Sequence, residues 1–204
     1  MGDPQLFIAG NHDVALTSPH TLAHIPPSLT YLENSCTEIT TSGRKLCIYG
    51  SPYTPQHGSW PFQYLRVRPT LTAGAFPHSI WSKILPQTDI LITHGPPLAH
   101  LDADRYGCYA LLCALWSVRP KVHVFGHIHA GRDVEHVKWD GAQMVYENIC
   151  AGRSGWGGLV VLLWYKLMAW LWNRSLGDTT LLVNAAAVAG LRDGQKKGAI
   201  VLGI

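Results

Sequence analysis

The sequence predicts an α/β chain with a layered, α+β-like arrangement. Three observations carry that expectation. Short apolar runs with the character of buried strands recur through the first two thirds of the chain. Helical segments lie between them. Three of the runs end in polar clusters, which is where ligand groups collect in open α/β sheets.

Taken in order, Leu6–Ala9 (LFIA), Leu46–Tyr49 (LCIY), Ile90–Thr93 (ILIT) and Val122–Phe125 (VHVF) read as short, largely buried strands. Thr54–Pro77 is rich in Pro, Gly and aromatics and reads as a long surface loop. Ser79–Leu85 reads as a short helix stopped by Pro86. Tyr106–Trp116 is a helix, with Asp102 or Asp104 in position to help cap it. Leu181–Val183 and Ala199–Leu202 are two further strands, joined through Leu191–Gly198 with Asp193-Gly194 as the turn signal.

One segment stands apart. Gly157–Trp172 carries a single charge, Lys166, and forms an apolar, Trp-rich helical insertion at about 156–174. It falls short of the roughly 20 apolar residues that cross a bilayer. It reads as a buried or interface helix or, given Trp156, Trp164, Trp170 and Trp172, as an interfacial membrane helix.

The 204 residues suit one substantial domain spanning 1–204. With 47% apolar and 14% charged residues, an intrinsically disordered chain is excluded. The net charge of +3 comes without long basic runs, so no nucleic-acid-binding surface is evident. The five Cys are odd in number and form no Cys-x-x-Cys pair, which argues against a disulfide framework or structural zinc. A reducing intracellular compartment, the cytoplasm, is expected, with peripheral membrane association open through the Trp-rich helix. The N-terminus has no basic n-region or long apolar h-region of a signal peptide.

The three clusters carry the chemistry. LFIA runs into Gly10-Asn11-His12-Asp13, ILIT into His94-Gly95-Pro96-Pro97, and VHVF into Gly126-His127-Ile128-His129. On extended backbone, His127 and His129 face one way and Ile128 the other. Neutral imidazoles at that spacing bind one cation each or share one. Asn11 offers a carbonyl oxygen, and Asp13 can orient the His12 imidazole. Gly126 allows a sharp turn or a close approach. His20, His24, His57, His78, His100 and His136 are expected in loops or on the surface, and His123 packed within its strand.

Together these motifs resemble the calcineurin-like metallophosphoesterase superfamily, closest to its small metallophosphoesterase-domain proteins and their fungal relatives. Gly50-Ser51-Pro52-Tyr53-Thr54-Pro55, Arg119-Pro120-Lys121 and Val183-Asn184-Ala185 extend the likeness over nearly the whole chain. The resemblance implies a β-sandwich of two mixed sheets flanked by helices, with two divalent metal ions (Mn, Fe, Zn or Mg) at the strand ends. Carried over by position, Asn11, His94 and His127 ligate one ion and His129 the other. His12 sits near the leaving-group oxygen, with Asp13 orienting it. Water activated by the metals attacks the phosphorus of a small phosphodiester or phosphomonoester substrate.

The family also carries an Asp-x-His motif near its start and a Gly-Asp motif after it, both ahead of Gly-Asn-His-Asp. No Asp in this sequence is followed by His two positions on. Gly2-Asp3 lies too close to Asn11, and Gly177-Asp178 comes too late. The resemblance therefore implies a member lacking its N-terminal portion. The remaining donors are all neutral, whereas hard divalent cations need anionic ligands. Weak or absent activity is expected. The alternative is a non-catalytic interaction protein that uses 157–172 for a membrane or protein partner.

Overall fold

Six strands build one mixed sheet in the order β3-β4-β7-β8-β10-β9. They are β3 (Ser35–Thr41), β4 (Arg44–Ser51), β7 (Ile90–Thr93), β8 (Val122–Phe125), β10 (Thr179–Asn184) and β9 (Val134–Lys138). The computed structural model describes residues 4–41, 43–69, 80–172, 178–189 and 194–203. The central strands β4, β7, β8 and β10 are parallel, and the outer strands β3 and β9 run antiparallel to their neighbours. Strands inside such a sheet are covered on both faces, which is why ILIT and VHVF read as near-continuous apolar runs.

His123 is the exception within β8, and it is fully buried. Its Nε2 lies 2.8 Å from Thr93 Oγ1 on β7. The Thr93 hydroxyl gives its one hydrogen to the Gly95 carbonyl at 2.8 Å, so His123 Nε2 is the donor in that pair. Burial and the nearby His100 charge push its pKa down to about 3, keeping it neutral.

A separate parallel pair, β1 (Gln5–Phe7) and β2 (Leu29–Tyr31), packs on β4. Gly50 makes that contact possible: a Cβ there would sit 2.4 Å from Leu32 Cβ and 2.9 Å from Ile8 Cγ2. Between β1 and β2 runs the short helix α1 (Pro19–Ala23). The expected loop from Thr54 holds a minimal parallel pair, β5 (Thr54–Pro55) and β6 (Gln63–Tyr64). Its residues 70–77, like Ser79, lie outside the described residues. The helix expected there is a single 3-10 turn, Ile80–Lys83, with Trp81 buried.

Helix α2 (Tyr109–Val118) starts later than expected, and neither Asp102 nor Asp104 caps it. Cys108 does: its Sγ accepts from Leu111 N at 3.1 Å. Asp102 instead accepts from the Ala99 and Gly107 amides at 3.0 Å each, and so shapes the preceding loop. Leu111 and Leu115 of α2 close the main core over Tyr49, Leu91, Phe125 and Leu182.

Helices α3 (Gly141–Cys150) and α4 (Trp156–Trp172) pack on each other. Asp140 caps α3 by accepting from Gln143 N at 2.9 Å. Gly141 lets the two helices approach, because a Cβ there would collide with the Tyr165 ring of α4, and Gly158 makes room for Ser154 of the connecting loop. The expectation of a helix over the Trp-rich segment holds, but it is not buried. Trp156 and Trp170 are 85% and 78% exposed, and Leu163 68%. The contact with α3 is too narrow to cover an apolar surface that runs all round the helix. Among the described residues no helix is long and apolar enough to cross a membrane.

The C-terminal hairpin also differs from expectation. The strand pair is β11 (Val188–Ala189) with β12 (Gln195–Lys196). Residues 191–193 of the connecting turn lie outside the described residues. Ala199–Leu202 is not a strand: it has no ladder partner among the described residues, and Val201 is 92% exposed. The Gly198 carbonyl just before it takes its hydrogen bond from Arg132 Nη2 at 2.7 Å.

Candidate metal centre

The three polar clusters meet beyond the carboxyl ends of the central strands β7 and β8. β7 and β8 are adjacent and parallel, so the residues after Thr93 and after Phe125 emerge side by side. β1 brings Gly10–Asp13 over them from its own small sheet. Gly10 is the point of closest approach, since a Cβ there would lie 2.8 Å from His94 Cε1.

Asn11 is buried, and its Oδ1 lies 2.8 Å from His94 Nε2. An amide oxygen only accepts, so in this arrangement His94 Nε2 carries the hydrogen. The His94 and His127 rings have centroids 4.6 Å apart. His57 packs on the other side of His127 at 5.0 Å. His12 lies against Trp60, centroid to centroid at 4.5 Å. Burial, then the neighbouring imidazoles, depress both His94 and His127 to a pKa of about 4. His12, His57 and His129 all contribute to that repulsion. Both rings are therefore neutral at pH 7, the form in which an imidazole ligates a cation.

Asn11, His94 and His127 are thus brought together as expected. Three local details are not as expected. Strand β8 ends at Phe125, and His127 has a left-handed backbone with φ 66°. His129 then opens a 3-10 turn, His129–Gly131. The extended backbone invoked to point His127 and His129 to one face is absent, because the ladder partner β10 ends at Asn184, opposite Phe125. The left-handed residue is His127 rather than Gly126. Finally, Asp13 Oδ2 accepts from Gly10 N at 2.6 Å and pins the turn that presents Asn11.

The loops are braced from behind. Asn184, fully buried at the end of β10, donates through Nδ2 to Leu101 O at 3.0 Å and to Ile128 O at 2.9 Å. One side chain thereby ties the His94 loop to the His127 loop. Gly131 completes the junction: a Cβ would fall 1.9 Å from Leu101 O. The His94 loop holds five non-glycine residues with positive φ, at Ala99, Leu101, Ala103, Asp104 and Arg105. Strain of that kind persists only where surroundings over-determine the backbone.

His100, expected in a loop or on the surface, does lie in the His94 loop but is not exposed there. His100 is fully buried, with Nδ1 3.0 Å from Glu135 Oε1 and Nε2 3.0 Å from Glu147 Oε1. Glu147 also accepts from Trp116 Nε1 and from Gln143 Nε2. Burial alone lowers the His100 pKa, but the two carboxylates outweigh it and lift it to about 9. Gln143 and Glu147, one turn apart on the inner face of α3, were the available signal. His57, expected in a loop or on the surface, packs its ring against His127 with centroids 5.0 Å apart.

Asn11, His94 and His127 fit one cation as an amide oxygen and two neutral imidazoles. They do not fit a carboxylate-bridged pair of cations. Among the described residues no three His, Cys, Asp or Glu side chains converge to hold an ion.

Residues 1–131 match the calcineurin-like phosphoesterase family. The chain belongs to this family, whose members are metallophosphoesterases that typically bind divalent metals. It is 42% identical over 212 residues to "Probable rhamnogalacturonate lyase C" of Emericella nidulans, covering 98% of this chain and 19% of that protein. It is 38% identical over 160 residues to metallophosphoesterase domain-containing protein 1 of Homo sapiens, covering 64% of this chain and 46% of that protein. A UPF0046 protein of Caenorhabditis elegans is 39% identical over 106 residues, covering 50% of this chain and 24% of that protein. The chain spans less than half the length of these relatives.

Proposed function

We propose that this chain carries the histidine-rich side of a metal-dependent phosphoesterase site acting on small phosphodiesters or phosphomonoesters. The observation that supports it is the convergence of Asn11, His94 and His127 beyond the carboxyl ends of β7 and β8. These three residues would hold one divalent cation. A cation held there supplies water activation and neutralises charge developing on the phosphoryl oxygens. His12 stands at the rim against Trp60, where an imidazole can hold or give a proton at the leaving-group oxygen. Asp13 keeps the Gly10–Asp13 turn closed and so holds Asn11 in place. Asn184 keeps the His94 and His127 loops in register.

Neutral donors alone hold hard dications weakly. We propose that the carboxylates of a two-cation site come from chain outside these 204 residues, and that the 204 residues alone turn over weakly or not at all. The test is hydrolysis of bis-p-nitrophenyl phosphate with added manganese. The reading predicts little turnover by this chain. It predicts His127-dependent turnover once the full transcript is expressed, with an upstream strand ending in Asp-x-His and another ending in Gly-Asp. Robust turnover by the 204 residues would overturn the need for outside ligands. No turnover by the longer protein would overturn the enzyme reading.

The exposed apolar surface of α4 favours a second reading, a non-catalytic protein that docks on a membrane surface or a protein partner through 157–172. Retention of wild-type biological function by His94→Ala and His127→Ala variants would separate it from the first.

A further inference from the structure

A cavity of mixed polar and apolar lining opens beside the His94 loop, and none of the clustered histidines lines it. It has a volume of about 210 Å³. Arg66, Arg68 and Arg105 stand round it, with Leu98, Gly107 and Tyr109 completing most of the wall. No carboxylate lines it among the described residues.

The absence of acid is built into the sequence. Between Glu38 and Asp89 there is no Asp or Glu at all, and Arg66 and Arg68 fall inside that stretch. On the facing loop, Asp102 is already committed to the Ala99 and Gly107 amides. Asp104, the chain neighbour of Arg105, is exposed and lies outside the lining. Among the described residues neither Arg68 nor Arg105 forms an ion pair. Arg66 Nη1 donates to Gly107 O at 3.3 Å, which fixes its guanidinium at the rim. Behind the wall, Arg153 Nη1 donates to Tyr109 Oη at 2.6 Å and adds a fourth positive charge.

Arg66, Arg68 and Arg105 are exposed and water screens their mutual repulsion, but together they give the cavity mouth a uniformly positive character that attracts an anion. Arginine is also the side chain whose planar fork matches phosphate oxygens in pairs. The volume lies below the roughly 300 Å³ at which pockets begin to take drug-sized ligands. It suits a phosphate group bearing few carbons. From this we infer that the cavity binds a phosphate-class oxyanion, either inorganic phosphate or the phosphate of a small phosphomonoester. This site is independent of the histidine cluster and does not rest on its chemistry.

Isothermal titration of the full chain with inorganic phosphate, and separately with glycerol phosphate, tests this. The buffer holds low salt and a chelator, so that no divalent cation occupies the histidine cluster. One bound anion per chain is expected from at least one of the two ligands, weakening as salt is raised. Arg68→Gln with Arg105→Gln should weaken it about tenfold or more, from the loss of charge-assisted hydrogen bonds. His94→Ala with His127→Ala should leave it within about twofold, since neither side chain lines the cavity and such distant sites act independently. The parent protein gives a check that needs no variant, since amide shifts of Gly107 and Arg68 should move on titration. No binding of either anion, or binding that His127→Ala abolishes and the arginine variant keeps, would overturn the inference.

Discussion

Asn11 Oδ1 and His94 Nε2 face each other at 2.8 Å, so two expected ligand atoms are spent on one another. The bond holds the Asn11 turn against the β7 strand end, and it must open before either atom can ligate a cation. Preorganisation and competition are thus the same contact. Asn11→Ala frees His94 Nε2 but deletes a ligand oxygen and leaves a half-buried imidazole N–H without its acceptor. We expect a loss of stability of about 1–3 kcal/mol together with loss of cation retention. Chemical denaturation and metal analysis of the same preparation would show both.

Gly10→Ala separates positioning from folding. The new Cβ would lie 2.8 Å from His94 Cε1 and must push the ring out of line. The clash is with a side chain rather than with backbone, so the stability cost should stay within about 1–3 kcal/mol. Cation retention should fall as far as in His94→Ala. Retention at the parent level would show that the His94 ring position is not the one the site uses.

His100 should give the protein an alkaline stability limit. Its folded pKa of about 9 lies above the ordinary 6.5. Its stabilising contribution is therefore complete below about pH 6.5 and is lost as pH rises through 9. His123, depressed to about 3, acts on the other side: stability falls as pH drops from about 6.5 towards 3, because only the unfolded chain takes up that proton readily. His100→Ala strands Glu147 beside Trp116 and should cost about 3–5 kcal/mol. The plot of melting temperature against pH should lose its downward slope between pH 7 and 9 in that variant. An unchanged slope would mean that another group governs the alkaline limb.

Much of the sheet was legible because its strands are buried on both faces and short. ILIT and VHVF coincide with β7 and β8 residue for residue. The clustering of Asn11, His94 and His127 was legible because each follows a short apolar run. What was not legible depends on contacts distant in sequence. His100 is buried because Glu135 and Glu147 lie 35 and 47 residues away, and nothing local to it announces that. The start of α2 was misjudged because Cys108, an unusual cap, displaces two ordinary ones. Ala199–Leu202 has the composition of a strand, but composition does not supply a ladder partner. The expected face-sharing of His127 and His129 failed at one dihedral angle, the φ of 66° at His127.

Helix α4 should make the isolated chain self-associate or bind surfaces. Its apolar residues are exposed along its length, and Lys166 is its one charge. Flotation with liposomes and sedimentation without them would be compared for the parent and for Leu163→Glu with Trp170→Glu. The parent should float or sediment as oligomers, and the double variant should do neither. A parent that stays monomeric and lipid-free would show that α4 needs no cover.

The central claim is that the donors on this chain form the neutral part of a metal site. Equilibrium dialysis against manganese or zinc, followed by elemental analysis, tests it most directly. The account predicts weak, substoichiometric binding of a divalent cation that His94→Ala or His127→Ala abolishes. Two tightly held ions per chain, or binding indifferent to both histidines, would contradict it.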